Sequence, residues 1–202
     1  MNAATGTQTE TRKETSLEKW VKWALVMVLC VMVVLVALNF SRIPTYRAYL
    51  REKSPEVSMR YAQLSGQMDE TALRKHFEGV ALQCYNEPDQ PGRVAEKICW
   101  TGIDKADGGA ALTMAAFLNK GRLTSVVVHV PWWVHGTWRD SLVAQYGKAS
   151  RAGFVSALGG PVLRWTLPNG TLEYNRDRSL NPLEWSAVFW TAGASDAKPG
   201  TP

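Results

Sequence analysis

The chain has little of what common catalytic and metal-binding chemistry is built from. Its 202 residues include three cysteines and three histidines. No G-x-x-x-x-G-K-[ST] and no G-x-G-x-x-G stretch occurs, so neither of the usual backbone cradles for nucleotide phosphate is available. Gly159-Gly160-Pro161 reads instead as a loop entering a strand. No G-x-S-x-G elbow presents a nucleophilic serine. His76 falls between Leu73 and Phe77 on an apolar helical face and reads as a packing residue. His129 and His135 bracket a short stretch and could approach each other, but a third metal ligand is missing there. The Asp104-x-x-Asp107-Gly108 run lacks the distal glutamate of a calcium loop and reads as a turn. No catalytic residue, metal or cofactor is expected.

Charge of one sign is also scarce where it would matter. Residues 1–53 carry eight Lys/Arg against four Asp/Glu, whereas residues 54–202 carry fifteen against fourteen. The basic excess therefore lies beside the N-terminal apolar run, and the rest of the chain is too neutral for a phosphate-backbone binder. No nucleic-acid partner is expected. Glu173, Asp177 and Glu184 lie near Arg164, Arg176 and Arg178 in the last hairpin region and read as surface charge.

What the chain does have is one long apolar run. Residues 20–40 read WVKWALVMVLCVMVVLVALNF, without a polar residue from Ala24 to Leu38. At roughly 1.5 Å per residue these 21 residues extend about 31 Å, close to the hydrocarbon thickness of a bilayer. Trp20, Trp23 and a snorkelling Lys22 suit its interface. A cleaved signal is disfavoured by the long polar stretch ahead of the run and by the missing A-x-A site. The type IV pilin pattern of a Gly cleavage site followed by Phe and a fifth-position Glu is absent. The expected organisation is a disordered cytoplasmic tail (1–19), a transmembrane helix (20–40), a basic juxtamembrane linker (41–55), a globular domain (56–191) and a disordered tail (192–202).

Within the domain the pattern predicts an α+β fold with a mainly antiparallel sheet and about three short helices. Ser54-Pro55 with Val57, Tyr61, Leu64 and Met68 reads as a helix, and residues 69–78 as a second. Strands are expected over 81–85, 97–103, 110–118 and 123–130 as a meander. A helix near 137–146 follows, then strands over 162–167, 171–176 and 183–191. Pro168-Asn169-Gly170 marks the clearest hairpin. Cys30 sits inside the apolar run, leaving Cys84 and Cys99 on neighbouring predicted strands. That pair suits a disulfide in an oxidising compartment, with two buried thiols as the alternative.

Aromatic residues are the one abundant special material. Seven of nine tryptophans fall in the domain, and Trp132, Trp133 and Trp138 lie within WWVHGTW. If that segment is extended, Trp132 and Trp133 cannot both face the core, so one is exposed or covers a loop; the cluster reads as a capping layer over the sheet edge or, more sharply, as a contact surface. The expected partners are the lipid bilayer and another protein of a bacterial-type cell envelope, bound by a non-enzymatic, single-pass protein whose C-terminal domain is periplasmic. The alternative is a glycan or peptidoglycan binder using the same tryptophans as a stacking platform, and an envelope enzyme is the third reading.

Overall fold

A computed structural model describes residues 16–152, 158 and 160–193. The two tails expected to be disordered fall largely outside this range. The chain divides into two units, residues 1–40 and 41–202.

The first unit is the helix α1 (Ser16–Leu38), 23 residues with none buried. It is long and apolar enough to cross a membrane. From Trp23 onward the helix is apolar on every face and has no polar side to turn toward water, and its backbone donors and acceptors are satisfied internally, as hydrocarbon requires. Asn39 closes its end by returning its side-chain amide to the Leu35 carbonyl at 2.9 Å.

The second unit is the expected α+β domain. Its larger sheet has eight strands in the order β2-β3-β6-β7-β11-β10-β9-β8, every neighbouring pair antiparallel. In chain order these are β2 (Gln83–Asn86), β3 (Lys97–Gly102), β6 (Thr113–Asn119), β7 (Arg122–Val130), β8 (Ser150–Ala152), β9 (Val162–Leu167), β10 (Gly170–Asn175) and β11 (Ser186–Ala192). A small sheet of β1 (Glu56–Val57), β4 (Lys105–Ala106) and β5 (Gly109–Ala110) joins it, with β1 parallel to β4. Alternation sorts the faces. Met114, Ala116, Val126, Val128, Val188, Trp190, Leu172 and Trp165 share one face and form the core. Over this face lie α3 (Glu70–His76), α4 (His135–Tyr146) and the segment containing Tyr61 and Leu64, which contribute Leu73, Trp138 and Leu142.

One expectation is overturned locally, and two boundaries are refined. The segment expected to open as a helix at Ser54-Pro55 holds β1 and a 3₁₀ turn at Tyr61–Gln63. Its backbone is taken by tertiary partners: Asp104 N–H donates to the Pro55 carbonyl at 3.1 Å and Asp107 N–H to the Val57 carbonyl at 2.9 Å. Met59 N–H donates to the Asp107 carboxylate at 2.8 Å. The supposed linker, conversely, contains α2 (Ile43–Arg51), with Pro44 in its first turn, where a missing N–H costs nothing. Tyr46 is buried on its inner side. Ala192, assigned to the tail, completes β11.

The approach of β11 to β10 explains one glycine. A Cβ on Gly170 would lie 2.1 Å from the Thr191 carbonyl oxygen of β11, which is fixed backbone. Gly170→Ala must push β10 and β11 apart, and it is expected to lower unfolding free energy by about 2 kcal/mol in urea titration. An unchanged midpoint would contradict this packing.

Candidate functional site

The tryptophan segment begins where Pro131 ends β7. Trp132–Val134 forms a 3₁₀ turn leading directly into α4, rather than the extended stretch assumed from the sequence. The turn separates the three indoles by rotation instead of alternation. Trp132 is half-buried, its N–H donated to the Ser179 carbonyl and one ring face covered by the Arg178 guanidinium at 4.1 Å. Trp133 is 51% exposed and leans on Tyr46 and Tyr49, with ring centroids 5.8 and 6.4 Å away. Trp138 is only 4% exposed. Its N–H is donated to the Ala110 carbonyl at 2.8 Å, so Trp138 belongs to the core and leaves the proposed contact surface.

Tyr46 also approaches Trp185 at 6.2 Å, and Trp185 in turn lies under the Arg42 guanidinium and beside His129 at 5.1 Å. Arg42 is further paired with Glu184 at 3.6 Å. The result is a continuous aromatic bed of Tyr46, Tyr49, Trp133 and Trp185, of which Trp133 protrudes. Neither α2 nor Trp185 was implicated by the sequence reading. The spacing of Tyr46 and Tyr49 in the basic stretch was the available signal.

The histidines are structural. His76 bonds the Met59 carbonyl at 3.0 Å and meets Phe77 edge-on. His129 bonds the Thr113 hydroxyl at 2.9 Å. His135 meets the Ser186 hydroxyl at 2.7 Å and the Tyr174 hydroxyl at 3.1 Å, both through Nδ1. A serine–histidine contact invites comparison with an activated nucleophile. Here Ser186, His135 and Tyr174 are all buried, so the trio has no access to a substrate and fastens α4 to β10 and β11. Burial lowers the pKa of all three histidines.

For His129 burial brings the value down from 6.5 to about 4, with Arg42 assisting. The unfolded chain therefore takes up a proton near pH 6.5 that the folded domain refuses until about pH 4. Stability falls with pH across that window. Between pH 7.5 and pH 5 the loss attributable to His129 is expected to be about 2 kcal/mol. Unfolding midpoints of wild type and His129→Gln should diverge in slope below pH 6.5. Parallel profiles would refute the assignment.

Glu70, Cys84 and Cys99 bring ligand-type atoms within 4.8 Å of one another, but both sulfurs are consumed by the Cys84–Cys99 disulfide. Glu70 is instead bound by Lys97 at 2.7 Å and Arg74 at 2.9 Å, and Lys97, then Arg74, holds its carboxyl below the usual range. Glu173, read as surface charge, is buried and receives Arg164 Nε–H at 2.8 Å. Asp177 and Glu184 are on the surface side as expected, paired with Arg176 and Arg42.

These features define an α+β domain with an aromatic surface, and an apolar helix. No family model matches the chain, and no curated protein or solved structure matches it.

Proposed function

We propose that the protein is a single-pass membrane protein whose domain lies outside the cytoplasm, in the periplasm of a bacterial-type envelope, and binds another envelope protein. The observation that carries the binding part is Trp133, half exposed on a base of Tyr46 and Tyr49. A large aromatic side chain presented to solvent on a rigid support loses little conformational entropy when it enters a partner's pocket. Trp133 is held by a 3₁₀ turn between β7 and α4, both part of the folded core. The disulfide supports the oxidising side of the membrane.

The glycan alternative draws less support, because one face of Trp132 is already taken by Arg178 and Trp138 is enclosed. Retention on cell-wall polymer, lost in Trp133→Ala, would favour it over a protein partner. A photo-crosslinking residue at position 133 should give one dominant protein adduct in intact cells, and a spread of weak adducts would count against the proposal. The anchor is tested separately: the full chain should stay with membranes through carbonate and high-salt extraction. Release by salt alone would mean peripheral attachment.

A further inference from the structure

The two flanks of α4 differ in chemistry. On one, Thr137, Ser141 and Gln145 face Asp107 and Gly108 across a small uncharged-to-acidic recess of about 290 Å³. On the other, an open groove of about 790 Å³ is lined by Arg139, Lys148, Arg151 and Arg176, with Asp177 as the one acidic side chain among the described residues that line it. Val143 and Leu163 supply apolar surface to it.

Four separate stretches bring those cations together. Arg139 stands one helical turn before Val143 on α4. Lys148 follows the end of that helix at Gly147, whose carbonyl is fixed by the Trp165 indole N–H at 2.9 Å. Arg151 on β8 is paired in register with Leu163 on β9, so both point to the face that α4 covers. Arg176 continues β10, its N–H donated to the Pro161 carbonyl at 3.1 Å. The convergence is therefore set by sheet register and helix position, not by sequence proximity.

The charge is concentrated beyond what composition predicts. Residues 54–202 are nearly balanced, yet this groove holds four cations against one carboxylate. Asp177 is engaged by Arg176 at 2.8 Å, and Arg139 by Asp140 at 3.0 Å, a residue outside the lining. Exposed pairs of this kind are weak and exchange readily for a better anion. Among the described residues, no carboxylate lies within ion-pair distance of Lys148 or Arg151. A concave surface of one sign focuses its field and attracts counter-charge. Guanidinium groups add forked donors suited to tetrahedral and planar oxyanions.

We infer that this groove binds a compact dianion, a phosphate ester attached to a partly apolar body, with Lys148 and Arg151 as the principal contacts and Arg139 and Arg176 recruited from their surface pairs. The phosphate could belong to a soluble metabolite or to a lipid headgroup, and the same chemistry recognises both. This site is distinct from the Trp133 surface and does not rest on it.

The test uses the full-length chain in phosphatidylcholine nanodiscs, with inorganic pyrophosphate as probe and acetate as monoanionic control, followed by calorimetry and thermal unfolding. Saturable pyrophosphate binding with a raised unfolding midpoint is expected, with no comparable effect of acetate. Lys148→Gln with Arg151→Gln should weaken binding about a hundredfold, from two lost charge-assisted hydrogen bonds. Both side chains are exposed, so the circular dichroism of the variant should match wild type, and Lys105→Gln with Lys120→Gln should bind normally. Absence of saturable binding, or equal binding by the two double variants, would overturn the inference. Nanodiscs containing phosphatidic acid, whose headgroup is a phosphate monoester, separate the sources. A headgroup ligand raises the midpoint without pyrophosphate and then competes with it, whereas a soluble ligand acts equally in both membranes.

Discussion

Trp138→Ala should lower the unfolding free energy by about 3–5 kcal/mol, while Trp133→Ala should change it by about 1 kcal/mol or less. The two residues are five positions apart and of one type, so the contrast depends on placement alone. Trp138 lies against Gly109 so closely that a Cβ there would meet its ring at 2.8 Å. Truncation opens a cavity between α4 and β5 that neighbouring backbone cannot fill. It also leaves the Ala110 carbonyl, now served at 2.8 Å by the indole, without that donor. Both terms act in the same direction. Trp133 loses only its lean on Tyr46 and Tyr49 and returns exposed apolar area to no one. Urea titration of both variants gives the comparison. Equal large losses would make Trp133 ordinary core and remove the observation behind a binding surface.

Replacing Cys84 and Cys99 by serine should cost about 3 kcal/mol, from the loop-closure entropy of a span of about 15 residues. The residues are direct partners across β2 and β3, 15 apart in sequence. β2 is the end strand of the large sheet, with four residues and one neighbour, so it is held only by its ladder to β3, the bridge and nearby side chains. A second attachment comes from Arg74, which reaches both Glu70 and the Cys84 sulfur, the latter at 3.1 Å. Loss of the bridge should therefore loosen residues 83–96 before the rest, visible as faster amide exchange there. Alkylation of the denatured, unreduced protein should label Cys30 alone. Three reactive thiols without reductant would place the domain on the reducing side, and the extracytoplasmic proposal would fail.

The features legible in the sequence were those with a local cause. The apolar helix, the Pro168-Asn169-Gly170 hairpin and the Cys84–Cys99 pairing each depend on residues close in the chain or on a count of cysteines. Val57 and Tyr61 were read at helical spacing, but Val57, Met59 and Tyr61 are all buried and alternate at a period of two. The spacing of four satisfied either reading, and only the partners Asp104 and Asp107, some fifty residues away, decided it. The pairing of β7 with β11 had no local signal at all. The site divided likewise. Composition directed attention to the tryptophans, whereas the packing of α4 that hides Trp138, and the register that gathers Arg139, Lys148, Arg151 and Arg176, arise from tertiary placement.

The strand order carries a consequence for biosynthesis. β11 is the last of the strands in sequence, yet it occupies the middle of the sheet between β7 and β10. Until it emerges, the meander β2-β3-β6-β7 and the group β8-β9-β10 have no shared hydrogen bonds, and each presents an open edge beside valines of β7 or tyrosine and leucine of β10. Such edges recruit stray strands. A nascent chain would have to be shielded through almost its whole length, and a truncation shortly before residue 186 would yield two sticky half-sheets instead of a smaller stable domain.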